Sequence, residues 1–309
     1  MALTILEAAK NLKMTEVQRS VIEIYAQSHE ILRVLPMETI SGNAVQFEVE
    51  GDLPTTDFRG YNESYTESTG TTDVRTEALA IAGGEVDVDI AIVRQGGAEK
   101  RASEMARKIK SLAHKVGHTM IKGDSITSRK EFDGLQNRCT GSRLIANGST
   151  SGGDALSLAK LDEAIDNTDD PNALFVSKAV RRLLTAAARN TGVGGYITST
   201  KDEFGRLVEM YRDLPLIVMD PNGGVYSTLA FNEANPGGGS SVGTSIYVAS
   251  LRPGMLTGIQ SGPLAVKDFG EIAESPVTRA RIEWSVGLKD AHPRCVTRLW
   301  GIKNAAVTA

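Results

Sequence analysis

The sequence predicts a chain of the α+β class. Three observations carry this. Residues 105–120 repeat apolar side chains at helical spacing, residues 45–50 and 86–92 alternate apolar and polar side chains at strand spacing, and residues 51–77 hold too few large apolar side chains to fold on themselves. With 309 residues, 41% apolar and 23% charged, the composition is that of a globular chain of about two domains and excludes wholesale disorder.

In chain order, the first element is a helical arm over residues 1–36. Thr15 and Gln18 stand at capping-box spacing, Val17, Val21, Ile24, Ile31 and Leu35 return to one face, and Pro36 stops the helix. That stripe needs cover from elsewhere in the chain or from a neighbour. Residues 37–93 then read as a long two-stranded excursion. Val45, Phe47 and Val49 alternate with Gln46, Glu48 and Glu50; Val86, Val88, Ile90 and Ile92 alternate with Glu85, Asp87, Asp89 and Ala91. Each run is a half-buried strand with a wet, acidic face. Between them only Leu53, Phe58, Tyr61, Tyr65 and Val74 are large and apolar. So long a segment is ordered only if it lies across another surface.

The clearest helix runs from about Glu99 to Lys122. Met105, Ile109, Leu112, Val116 and Met120 share one face, and Arg107, Lys108, Lys110, His114, Lys115 and His118 populate the other. At ~1.5 Å per residue it is a rod of about 35 Å. Gly148–Gly153 reads as a hinge. Beyond it the chain becomes compact α/β: a helix around Leu158–Ile165, a strand at Ala173–Val176, a helix over Val180–Ala187 capped by Ser177, and buried strands at Leu214–Met219 and Ile246–Leu251. Asp220-Pro-Asn-Gly-Gly reads as a turn and Asn235–Gly243 as a glycine-rich loop. The tail alternates Ile282, Trp284, Val286 and Leu288 with polar residues, turns at His292-Pro293 and returns over Val296–Ile302.

The formal net charge of −4 hides a strong division. Residues 37–93 carry two basic and twelve acidic side chains, whereas residues 94–131 carry ten basic and four acidic, and residues 276–309 six basic and two acidic. Blocks of opposite sign mark partner surfaces. An acidic segment without a core must lie on something, and the basic rod is the natural seat. The expectation is that Glu48, Glu50, Glu63, Glu67, Glu85, Asp87 and Asp89 face Lys108, Lys115, Arg279 and Arg281 of an adjacent copy, with Val17, Val21, Ile24 and Ile31 packing the arm.

Chemistry is sparse. His114 and His118 have a chelating spacing, but the sequence offers no third ligand nearby, so no metal site is expected. Gly192-Val-Gly194-Gly195 and Pro236-Gly237-Gly238-Gly239 neither follow a strand nor open a helix, and no Gly-Lys-Ser/Thr occurs, so no phosphate cradle and no cofactor is expected. Asp169-Asp170 and the Glu271/Glu274 pair lack convergent partners, and no nucleophile–base arrangement is evident. Asn62-Glu-Ser and Asn147-Gly-Ser match a glycosylation sequon, which matters only for a secreted chain. Two cysteines make no disulfide framework and fit a reducing cytoplasm; Glu7 and Lys10 interrupt any apolar leader; no apolar run approaches the ~18 residues of a bilayer span. An arm and an excursion with unpaired apolar surfaces are what a subunit shows when copies of itself complete it.

Several stretches carry a resemblance: Ser64-Tyr-Thr-Glu-Ser-Thr-Gly70, Ala82-Gly-Gly-Glu-Val-Asp-Val-Asp89, Gly148-Ser-Thr-Ser-Gly-Gly-Asp-Ala-Leu-Ser-Leu-Ala159, and Glu283-Trp-Ser-Val-Gly287 with Pro293. In their order along the chain they resemble the major capsid proteins of tailed bacteriophages, which share the Hong Kong 97-like fold. The resemblance implies an N-terminal arm (1–36), an extended loop (37–93) overlying a neighbour, a peripheral domain (94–150 and 270–309) built on the rod as its spine helix, and an axial domain (151–269). It implies a non-enzymatic subunit that self-assembles into pentamers and hexamers of an icosahedral head around double-stranded DNA. Its partners would be further copies, a separate scaffolding protein, a portal protein and a decoration protein. It would reside in the virion after assembly in the bacterial cytoplasm. Some relatives crosslink through a lysine in the extended loop; residues 37–93 contain none, so that chemistry is expected to be absent. An encapsulin-like nanocompartment shell and an α/β enzyme binding a phosphorylated small molecule are the alternatives.

Overall fold

In the computed structural model the described residues are 29–51, 53–96, 98–189, 197–201, 207–219, 227–240 and 242–308. Val17, Val21 and Ile24, Gly192–Gly195 and Asp220–Gly224 lie outside them. The elements are α1 (Glu30–Val34), β1 (Met37–Thr39), β2 (Ala44–Glu50), β3 (Thr72–Ala78), β4 (Ala80–Asp89), α2 (Ile90–Gly96), α3 (Ala98–Lys122), α4 (Leu135–Arg138) and β5 (Leu144–Ala146). There follow α5 (Leu158–Asp166), β6 (Ala173–Val176), α6 (Lys178–Ala188), β7 (Ile197–Lys201), β8 (Leu207–Tyr211) and β9 (Leu214–Val218). The chain ends with β10 (Thr244–Ala249), β11 (Leu256–Gln260), β12 (Ala265–Ile272), β13 (Ser275–Asp290) and β14 (Val296–Ile302).

The long β13 organises the first sheet. One edge pairs antiparallel with β4 from Val277↔Asp89 to Val286↔Ala80. Its other edge is shared by β12 toward its start and β11 toward its end, and β1 adds in parallel to β11. The second sheet has the order β5-β14-β10-β6-β9-β8-β7, and β2 and β3 form a separate hairpin.

The rod α3 joins these parts. Ile109, Leu112, Ala113, Val116, Met120 and Ile121 are buried in a core shared with Val86 and Val88 of β4, Ile282 to Leu288 of β13, and Phe175 and Tyr247 on one face of the second sheet. The other face, through Leu174, Val176, Ile246, Val248 and Leu299, packs against Leu158, Leu161, Val180 and Leu184 of α5 and α6. A sheet covered on both sides explains why β6 and β10 are buried throughout rather than alternating. The Ser177 hydroxyl accepts the Val180 N–H (3.1 Å) and caps α6 as its sequence position predicts. At the rod's end, Lys122 reaches buried Glu233 (3.3 Å), which also pairs with Arg298 of β14 (2.9 Å) and accepts from Ser245. No helix among the described residues is long and apolar enough to cross a membrane.

Four expectations are corrected. Residues 45–50 pair with 72–78, not with 86–92, so the excursion is a hairpin rooted near residues 44 and 78. The strand pattern of 86–92 breaks at Asp89, whose carboxylate accepts the Ala91 N–H (2.7 Å) and opens α2, so Ile90 and Ile92 are helical. Residues 296–302, which the family resemblance groups with the rod, lie in the second sheet between β5 and β10, while β11 and part of β12, from inside the 151–269 span, lie in the first. The Gly148–Gly153 hinge is pinned: the Gly152 N–H donates to Gly238 O (3.1 Å), the Asp154 N–H to Gly301 O (3.2 Å), and the Thr150 N–H to the Asp154 carboxylate (3.0 Å). The two glycine-rich runs are small because they lie against each other.

Candidate assembly surfaces

The β2–β3 hairpin projects without a core. Beyond the ladder, the Gly51 N–H donates to Thr71 O (2.9 Å), the Thr55 N–H to Ser68 Oγ (3.0 Å) and the Gly60 N–H to the Glu63 carboxylate (2.8 Å), and the Arg59 guanidinium sits 5.5 Å from the Tyr65 ring centroid. These contacts close the tip yet bury little. Phe58 and Tyr61 are as exposed as in an extended peptide (106% and 102%), and Leu53, Tyr65 and Val74 are also exposed.

Its base is fastened by buried charge. Glu77 of β3 receives both arms of the Arg138 guanidinium (2.5 and 2.8 Å), and Asp290 at the end of β13 receives Arg138 (2.8 Å) and Arg143 (3.0 Å). Burial opposes the Arg138 charge, but the hydrogen bonds to Glu77 and the Asp290 charge outweigh it and raise its pKa. The fork geometry fixes the angle at which the hairpin leaves the body.

Most of the charges expected to meet across subunits are engaged inside one chain. Because β4 and β13 pair with Asp87 opposite Arg279 and Glu85 opposite Arg281, Arg279 makes two bonds to Asp87 (2.7 and 2.6 Å) and Arg281 two to Glu85 (2.9 and 2.6 Å). The bond from Arg279 holds the Asp87 carboxyl below the usual carboxylate range. Asp89 caps α2, Glu63 turns back on Gly60, and Lys115 pairs with Glu131 (2.6 Å). The Lys108 stem lies over Gly84, where an added Cβ would come within 2.5 Å of its Cε. Glu48 and Glu67 stay exposed on the hairpin, as do Asp57 and Asp73; the Glu50 side chain is outside the described residues. Lys100, Arg107, Lys108 and Lys110 on the rod and Arg129 and Lys130 beyond it are exposed.

Ile31 is also covered from within. It is 1% exposed and shares the rod's core with Leu32 and Leu35, so this part of the arm stripe belongs to the subunit's own core.

The structure adds a third imidazole that the sequence did not suggest. His29 caps the start of α1 and seats its ring against Gly117, between His114 and His118; a Cβ at Gly117 would lie 2.6 Å from the ring. His29 precedes His114 by 85 positions, which hides this grouping from any local pattern. Among the described residues no group of three or more His, Cys, Asp or Glu is arranged to hold a metal ion. Asp169 pairs with Arg294 (3.2 Å) and Asp170 with Arg252 (2.6 Å), as surface carboxylates do. Cys139 and Cys295 are buried free thiols that burial pushes up to about 12 and about 11, away from nucleophilic use. A shallow groove of about 560 Å³ between residues 77–81 and 125–133 gathers no catalytic set.

A long rod clasped between two sheets, with a coreless hairpin thrown outward, defines the class: this is the Hong Kong 97-like capsid fold. The "Major capsid protein GP7" family model matches residues 14–158, which span the hairpin and the rod. Among solved structures, the SrpI encapsulin of Synechococcus elongatus PCC 7942 is similar with a TM-score of 0.66 at 15% identity, covering 100% of this chain and 99% of that one. A chain of Microbacterium phage Oxtober96 gives 0.63 at 14%, covering 90% of each, and one of Mycobacterium phage Adephagia 0.61 at 15%, covering 91% of this chain and 90% of that one. No curated protein matches the chain. Fold and family match together bear out the resemblance to the major capsid proteins of tailed bacteriophages and support a capsid shell subunit.

Proposed function

We propose that the chain self-assembles into the pentamers and hexamers of an icosahedral phage head that encloses double-stranded DNA. The observation that carries this reading is the hairpin: Leu53, Phe58, Tyr61 and Tyr65 stand exposed on an arm rooted by buried charge, an apolar surface that a second copy would cover. In this reading the hairpin is the extended loop, the rod is the spine, and α5 and α6 with the second sheet form the axial part. A scaffolding protein, a portal and a decoration protein are its further partners, and the packaged DNA is contacted without sequence preference. The subunit performs no catalysis.

The test is a micrograph of the purified full-length chain, assembled with its scaffold if needed. Regular icosahedral particles are expected. Boiled in denaturant, they should run as a single band at 33.0 kDa, because residues 37–93 offer no lysine for a crosslink. Persistently monomeric protein would overturn the reading. The encapsulin likeness over the whole chain favours one second reading, a nanocompartment shell. Nucleic acid inside particles made in infected cells decides for the head, and protein cargo for the compartment.

Electrostatics keep a reduced role. Glu48, Asp57, Glu67 and Asp73 on one hairpin are proposed to steer it toward Lys100, Lys108, Lys110, Arg129 and Lys130 of a neighbour. Exposed pairs are worth only about 0–1 kcal/mol each, so the effect lies in the docking rate. Assembly followed by light scattering should slow as ionic strength rises toward physiological, where the Debye length falls to about 8 Å. A rate indifferent to salt would remove the proposed steering.

A further inference from the structure

His29 is an expensive residue to place where it lies. It is 4% exposed, and neither ring nitrogen has a hydrogen-bond partner among the described residues. Its ring occupies the space that the missing Cβ of Gly117 leaves open, and the His114 ring stands edge-on with centroids 6.1 Å apart. The arrangement suits a neutral imidazole and rejects an imidazolium, which needs two acceptors and a counter-charge.

Among the described residues the surroundings supply neither. The helix α1 packs on the rod α3 and on β9. From the rod, His114 and His118 act directly on His29, with Lys110, Lys115 and Lys122 acting in turn on those two histidines. Glu131, a carboxylate that acts on His118, is paired with Lys115. On α1 itself Glu30 and Arg33 pair with each other (2.6 Å), and β9, Leu214–Val218, contains no titratable side chain.

We propose that His29, His114 and His118 form an acid-sensitive joint, closed when neutral, whose protonation releases α1 from the rod. Burial, then the neighbouring His114 and His118, lower the His29 pKa from 6.5 to about 4. The same direction holds for His114 and His118, chiefly through burial. The sign follows: the open form binds the proton more readily, so the closed joint is at full strength above pH 6.5 and loses strength as pH falls from 6.5 toward 4. For His29 alone the opening equilibrium should rise roughly 30-fold between pH 7.5 and pH 5.

The experiment is amide hydrogen exchange of the full chain, corrected for the intrinsic pH dependence. Residues 30–35 should open progressively over that range while β10 stays protected. His29→Phe, which fills the same space without titrating, should abolish the extra pH dependence. Exchange at the imidazole carbon of His29 in the unmodified chain reads its titration even if that variant fails to fold. A midpoint below about pH 5.5 is expected. A midpoint at 6.5 or above, opening of residues 30–35 that does not grow in acid, or a His29→Phe chain that keeps the full pH dependence would each overturn the joint.

Discussion

Replacing Phe58 and Tyr61 together by serine is expected to leave the subunit as stable as its parent and to prevent closed particles. Within one chain neither ring is covered, so its loss removes no intramolecular burial. When a second copy covers them, each is worth about 1.5–3 kcal/mol, and the pair about 3–6 kcal/mol for every hairpin that docks. Since a shell repeats each contact at every subunit, a deficit of that size at each site stops closure. Thermal unfolding of the unassembled variant and electron microscopy after assembly measure the two halves of this claim. Normal particles from the double variant would show that the tip is solvated in the assembly.

Arg138→Ala should act in the opposite way, on the subunit itself. Its side chain is 8% exposed between Glu77 and Asp290, and removing it strands carboxylates away from water. Breaking a buried pair from one side costs roughly 3–5 kcal/mol, a large share of a domain's stability. Arg138→Lys should recover only part, because an ammonium cannot span both oxygens of Glu77 as the guanidinium fork does. The combined Glu77→Gln, Arg138→Met chain should lie closer to the parent than Arg138→Ala, since the double change leaves Asp290 with Arg143. Denaturant midpoints order the three. If Arg138→Ala unfolds within about 1 kcal/mol of the parent, the cluster does not fasten the hairpin.

What the sequence made legible follows from the range of each interaction. The rod, β6, α6 with its Ser177 cap, and β14 were readable because periodicity and capping lie within one turn or one strand. The partner of β2 was not. Residues 72–78 present only Val74 and Ala78 as apolar side chains and are mostly exposed, so nothing local marks them as a strand, whereas 86–89 alternate cleanly and invited the wrong pairing. The ion pairs of Asp87 and Glu85 depend on a register with β13 that is set 192 and 196 residues away. Charge division located the acidic and basic blocks correctly but could not say that two of the three acids on β4 were already neutralised beside their own strand. For the same reason the imidazole trio has no local signature and exists only where α1 lies on the rod.

The placement of β13 also orders events in time. Its partner β4 precedes it by nearly two hundred residues, and at ~5–20 residues per second of synthesis that gap is about 10–40 seconds. During that interval Val86, Val88 and the apolar stripe of the rod have been made, but the strand that covers them has not. Long-range pairing of this kind folds slowly and leaves an unpaired edge on the nascent chain. Acidic residues at 85, 87 and 89 along that edge repel their counterparts and so disfavour pairing between such strands before the C-terminal third arrives. The arginines of β13 then neutralise two of them on arrival, turning a guard against premature association into part of the finished sheet.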